Sequence, residues 1–303
     1  MIFFKDIENI LQNNTCVFMF FFFYLGCIFG SFFNVVIFRY NMMLENDDID
    51  SIKEWFSEKK YRIPEEISGE TNNISLSFPM SHCYTCKNTL KWYHNIPVLS
   101  YIFLKGKCGY CNTKISIQYP LVELLTGSLL ALSYLYLIKS GLDYFLIGGS
   151  ILLILLVVSM IDIKSYIIPD NPIYIVLWAS LLLNAYLGIS LYHISLNEAI
   201  YGAVIGYLMP YITALIGKKI KGQDVMGNGD FKLLAAIGSI IGIKGVVFTF
   251  FYAPFIGIVF WILMKLFDKE KSEKMIPYGP SLIIASVTYF ICGVDILKYI
   301  LNM

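Results

Sequence analysis

Two aspartates and four cysteines carry the chemistry legible in this chain. Asp162 closes an apolar run in MIDIKSYIIPD, residues 160 to 170, and Asp230 opens another in GNGDFKLLAAIG, residues 227 to 238. A carboxylate at the edge of a membrane span costs free energy unless it does something useful there. Two carboxylates at hydrogen-bonding distance cannot both ionise, so one keeps a proton while the other activates a water, as in aspartic proteases. The helix macrodipole divides the roles: Asp162, at a helix C-terminus, becomes the acid and Asp230, at a helix N-terminus, the base. Gly227 and Gly229 let another segment approach Asp230 closely, and Asp170 and Lys232 stand beside the two acids as supporting charges. Taken singly, each acid has a plainer reading, Asp162 as an interfacial acid that keeps a turn wet and Asp230 as a helix cap.

Cys83, Cys86, Cys108 and Cys111 form two C-x-x-C pairs with 21 residues between them, which is metal spacing. Four thiolates in two chelating pairs close a tetrahedral structural zinc site and stabilise a loop with little core of its own. Disulfides or a redox C-x-x-C are the alternative, disfavoured by a reducing cytosol and the lack of a βαβ pattern. His82 and His94 lie close in sequence but are surplus to a four-cysteine site, while Cys16, Cys27 and Cys292 sit in apolar runs as small hydrophobes.

The elements that must position these groups are membrane helices. The chain of 303 residues is 57% hydrophobic, 16% aromatic and only 15% charged, a profile that excludes an ordinary soluble enzyme. Its net charge of +1 argues nothing about nucleic acid, and no nucleic-acid partner is expected. Apolar stretches place about eight spans, at 16–38, 121–138, 145–161, 172–189, 199–217, 231–243, 246–264 and 279–297. The expected fold is therefore an all-α polytopic membrane protein. Residues 1–38 form an N-terminal segment and first span, 39–120 a cytosolic loop with the zinc-binding pairs and an acidic insertion over 41–80, and 121–303 a membrane-embedded peptidase domain. The insertion reads as a solvated segment without a motif.

Lys and Arg set the orientation. With the N-terminus outside, the short odd loops hold nine lysines against four on the other side, Lys5, Lys139, Lys244 and Lys298. Asp162, Asp170, Asp230 and the cysteine loop then all face the cytosol.

The ordered motifs GSFFNVVIFR (Gly30 to Arg39), C-x-x-C, NIPVLSY (Asn95 to Tyr101), KGKCGYC, ISIQYPLVELLTG (Ile115 to Gly127), IDIKSYIIPD and MGNGDFKLLAAIG resemble those of the type IV prepilin peptidases. These are bifunctional leader peptidase and N-methyltransferase enzymes of the G-x-G-D aspartic class. The resemblance implies Asp162 and Asp230 as the catalytic pair, the four cysteines as zinc ligands, and Asp170 as a supporting acid. It also implies prepilin or pseudopilin substrates, S-adenosylmethionine as methyl donor, and a multi-pass place in the bacterial cytoplasmic membrane with the active site toward the cytosol. Asn34, Gly106 and Glu123 fall in matched motifs and are the candidates for cofactor contact; Glu123 reads equally as a buried acid bonded to nearby backbone. Tyr84 stands where the family usually has proline, Gln118 where it has arginine, and Tyr40-Asn41 where it has leucine-proline. These departures bear on the methyl-transfer loop, so a leader peptidase without methyl transfer is the nearest alternative. A proton-coupled transporter and a membrane thiol oxidoreductase are the rivals from other classes. The first places acids at midplane and shows repeat symmetry; the second needs its cysteines on the oxidising side.

Overall fold

A computed structural model of the chain describes residues 10–59, 61, 75–76, 80–187, 194–222, 226–267 and 277–301. Among these the elements are helical: α1 (Thr15–Glu58), a 3-10 turn (Trp92–Asn95), α2 (Leu99–Phe103), α3 (Gln118–Leu137), α4 (Leu142–Ser165), α5 (Asp170–Leu187), α6 (Leu196–Lys221), α7 (Asn228–Phe267) and α8 (Gly279–Leu301). The only β pairing among the described residues is two isolated bridges, His82 with Thr89 and Lys107 with Lys114.

Five of these helices are long and apolar enough to cross a membrane, with a shorter apolar helix at Gly279–Gly293. The protein is thus helical and built for multiple membrane passes. Two expectations change in detail. The first span continues as one helix to Glu58, because no glycine or proline interrupts the chain between Gly30 and Glu58 and nothing else stops the helix. Part of the acidic insertion is therefore helical; residues 60, 62–74 and 77–79 of that loop lie outside the described residues. The expected sixth and seventh spans form one element, α7, broken only at Gly242, whose φ of 70° and ψ of −172° leave the helical region.

The chain forms two units, Met1–Gly149 and Ser150–Met303, with the boundary inside α4. In the first, α1 packs on α3. Phe22, Tyr134 and Phe145 meet with ring centroids 4.6 to 5.4 Å apart, and the Tyr134 hydroxyl donates to the Leu11 carbonyl at 2.7 Å. Paired aromatics with the phenol satisfied supply a buried cluster without an orphaned polar atom.

In the second unit α7 is central, packing against α5, α6 and α8. Helix α6 starts with a capping box, in which Glu198 N–H donates to Ser195 Oγ and Ser195 N–H to Glu198 Oε2. It ends at Gly222, left-handed at φ 71°, after Lys218, Lys219 and Lys221 in its last turn. Gly202 of α6 and Gly238 of α7 lie backbone to backbone, so that a Cβ on either would collide with the other's carbonyl. Lipid tails compete with apolar side chains for contact, so close backbone approach through small residues is what holds such helices together.

Candidate active site

Asp162 lies in the last turn of α4 and Asp230 in the first turn of α7, and both are buried, 4% and 8% exposed. The α4 helix closes on Asp162 itself: its carbonyl accepts the N–H of Tyr166 at 2.8 Å, and Tyr166 turns the chain at a φ of 58°. The Asp230 carboxylate interacts electrostatically with Asp162 and with the Tyr278 phenol. The two acids that the sequence separates by 68 positions, 230 minus 162, thus share one site.

A third segment completes it. The N–H of Gly279, at the start of α8, donates to Asp162 Oδ2 at 2.9 Å, a buried bond. The helix-end argument that made Asp162 the acid had no place for this donor, and an N–H aimed at Asp162 works for the opposite division of roles. Ile168 ties the segments together: its side chain packs against the backbone of Gly229 and that of Gly279, at distances from an added Cβ of 2.8 and 3.3 Å. Gly227 is in ordinary contact with Asp230 Oδ2, 3.4 Å from where its Cβ would be. Gly279 and Tyr278 were missed from sequence. The signal that marks them is PYGP, residues 277 to 280, a glycine between prolines at a helix start.

Asp170 and Lys232 pair directly. Lys232 Nζ lies 2.8 and 2.7 Å from the two carboxylate oxygens and 5.8 Å from the Tyr174 ring centre. The pair ties the start of α5 to the first turn of α7, two residues from Asp230.

The candidate metal site lies in the first unit. The Sγ atoms of Cys83, Cys86, Cys108 and Cys111 all fall within 4.8 Å of one another, with Cys83 and Cys111 at 3.8 Å. Thiolates arranged tetrahedrally at the usual zinc–sulfur distance of about 2.3 Å have sulfurs about 3.8 Å apart, so the donor set fits zinc. Two like turns hold it. Cys83 N–H donates to Asn88 O and Lys87 N–H to Cys83 O; Cys108 N–H donates to Thr113 O and Asn112 N–H to Cys108 O. Lys87 and Asn112, both at φ 57°, occupy the equivalent left-handed positions. No histidine joins the group among the described residues. His82 Nδ1 instead meets the Met80 carbonyl at 2.9 Å, and the His94 ring lies edge-on to Tyr93 and Tyr110.

The candidates for cofactor contact are engaged in the fold. Asn34 Nδ2 donates to the Tyr119 carbonyl at 3.0 Å. Glu123 Oε2 accepts the N–H of Val98 at 2.7 Å and also bonds the Ser31 side chain. Gly106, at φ 68°, lies against the Tyr101 phenol. With these groups spent on holding the loop, no step of methyl transfer is routed through them. Tyr84, where the family usually has proline, packs at a tilt on Phe38 at 4.5 Å and hydrogen-bonds Tyr119, docking the cysteine hairpin to the middle of α1 and the start of α3.

Membrane helices that bring two buried carboxylates together at their ends define an aspartic peptidase architecture of the G-x-G-D kind. Residues 24–137 match the bacterial peptidase A24 N-terminal domain and residues 149–262 the type IV leader peptidase family. A prepilin leader peptidase/N-methyltransferase of Neisseria gonorrhoeae is 34% identical over 270 residues, covering 88% of this chain and 87% of that protein. One from Stutzerimonas stutzeri is 34% identical over 93% of both chains, and one from Klebsiella pneumoniae 38% identical over 73% of this chain and 84% of its own. No solved structure matches. The chain belongs to the type IV leader peptidase family.

Proposed function

We infer that this protein removes the leader peptide of type IV prepilins and pilin-like proteins and N-methylates the newly exposed N-terminus. Relatives at 32 to 38% identity carry that double name, and it covers most of their length. The observation that carries the peptidase half is the convergence of Asp162, Asp230 and the Gly279 N–H in one buried site. The pair shares a proton and polarises a water toward the scissile carbonyl. The Gly279 N–H fixes the Asp162 carboxylate, and Ile168 holds Gly229 and Gly279 in register around the pair. Asp170 and Lys232 brace the start of α7 from the solvent side.

Zinc in the cysteine hairpin supplies cross-linking of a loop that has little core. S-adenosylmethionine supplies the methyl group. The protein lies in the bacterial cytoplasmic membrane with the aspartate pair and the hairpin toward the cytosol, the side favoured by the lysine distribution. Eight passes are consistent with α7: its 40 residues extend about 60 Å if straight, twice the roughly 30 Å of a bilayer core, and Gly242 divides it. The transporter and thiol-oxidoreductase readings receive no support from the relatives.

The test uses the purified full chain, a prepilin and labelled S-adenosylmethionine. Asp162→Asn and Asp230→Asn should each abolish leader removal while the protein stays folded. Normal processing by both variants overturns the peptidase assignment. Leader removal without label transfer in the unaltered protein leaves a peptidase alone.

A further inference from the structure

The cysteine hairpin carries a face that the established chemistry does not use. Residues 80–117 contain Lys87, Lys91, Lys105, Lys107 and Lys114 and no aspartate or glutamate. All five lysines are exposed, and none forms an ion pair with a carboxylate among the described residues. Beside them stand exposed apolar groups: Phe103 is 80% exposed, Trp92 79% and Ile102 61%, with Leu99 also exposed. Leu99, Ile102 and Phe103 fall at i, i+3 and i+4 of α2 and so share one helix face. The 3-10 turn that presents Trp92 packs against α2.

The height of this face is fixed by two anchors. Val98, the residue before α2, donates its N–H to Glu123, which lies five residues into α3, about 7.5 Å along that membrane helix. Val98 has a φ of 60°, a strained value for a β-branched residue, and the Glu123 carboxylate holds that turn closed. Tyr84 pins the other half of the hairpin to Phe38 of α1 and to Tyr119 of α3. The exposed face therefore lies beside the first turns of a membrane span.

We propose that Trp92, Leu99, Ile102 and Phe103 dock into the headgroup boundary of an anionic bilayer, with the hairpin lysines contacting lipid phosphates. The juxtaposition of an acid-free lysine cluster with an exposed aromatic-aliphatic helix face at the mouth of α3 carries this. Aromatic rings and lysine stems are the residues that settle at a membrane interface, and anionic lipid attracts each nearby lysine.

The experiment is hydrogen exchange over residues 99–107 of the full-length protein in nanodiscs of phosphatidylcholine alone and of phosphatidylcholine with phosphatidylglycerol. Exchange should slow on the order of tenfold in the anionic discs and recover at high salt. Lys105→Gln with Lys107→Gln should remove the slowing, because each lysine near the surface contributes about fivefold. A second variant, Ile102→Ser with Phe103→Ser, should abolish protection in both lipids while one zinc per chain is retained. Equal exchange in both discs overturns the proposal. So does protection that appears only on adding prepilin, which makes the face a substrate surface, or only at high protein concentration, which makes it a contact between copies.

Discussion

The Gly279 N–H donates a 2.9 Å hydrogen bond to Oδ2 of Asp162 across 117 residues of sequence. A Cβ at position 279 would lie 2.8 Å from that same oxygen, so the donor and the space for the carboxylate depend on one glycine. Gly279→Ala should displace Asp162 and lower prepilin cleavage on the order of 100-fold, the scale of losing a hydrogen bond to a charged buried group. Leader-cleavage kinetics on the purified variant check it; cleavage at the unaltered rate would mean that the carboxylate does not rely on this contact.

The two aspartates should fail together. With both acids proposed to act on one water, Asp162→Asn and Asp230→Asn should each reduce kcat by at least about a thousandfold and the double variant should be no worse. Multiplicative losses in single-turnover assays would show that the acids act separately.

The Asp170–Lys232 pair is partly exposed, with side chains 48% and 25% accessible, so its contribution is limited. Lys232→Met should lower stability by no more than about 1 kcal/mol and activity by a few-fold. Exchanging the charges, Asp170→Lys with Lys232→Asp, should restore part of the loss. Thermal unfolding in detergent and cleavage rates at two salt concentrations measure both effects.

Replacing Cys83 and Cys111 with serine should release one metal per chain and expose the hairpin to proteolysis between residues 80 and 117. A reductant alone should change nothing, because four thiolates that hold zinc need no disulfide. Metal analysis together with limited proteolysis separates these outcomes.

Gly238→Leu should separate α6 from α7, since a side chain there meets the Gly202 backbone. Overpacking of this kind costs about 1–3 kcal/mol or more. A lower unfolding temperature with loss of cleavage is the expected result, whereas Leu at exposed Leu208 exchanged for Ala should change little.

Much of the site was legible because its signals are local. A C-x-x-C pair chelates through one turn whatever surrounds it, and the two hairpin knuckles follow from spacing alone. The span positions follow from apolar length, which the bilayer measures directly. The acids were legible as residues at the ends of two apolar runs, Asp162 in the last turn of one helix and Asp230 in the first turn of another. The continuation of α1 to Glu58 was hidden because a polar helix leaves no trace in hydropathy, although the lack of glycine and proline permits it.

By itself the sequence determined the residue types, the membrane helices and the metal spacing, since each depends on neighbours along the chain. Only the tertiary structure decided that Ile168 would join Gly229 to Gly279, that the start of α8 would supply a donor to Asp162, and that Glu123 would hold the turn at Val98. Those contacts join residues 25 to 117 positions apart. Their energies arise from burial and from directed hydrogen bonds, which exist only once the helices have packed.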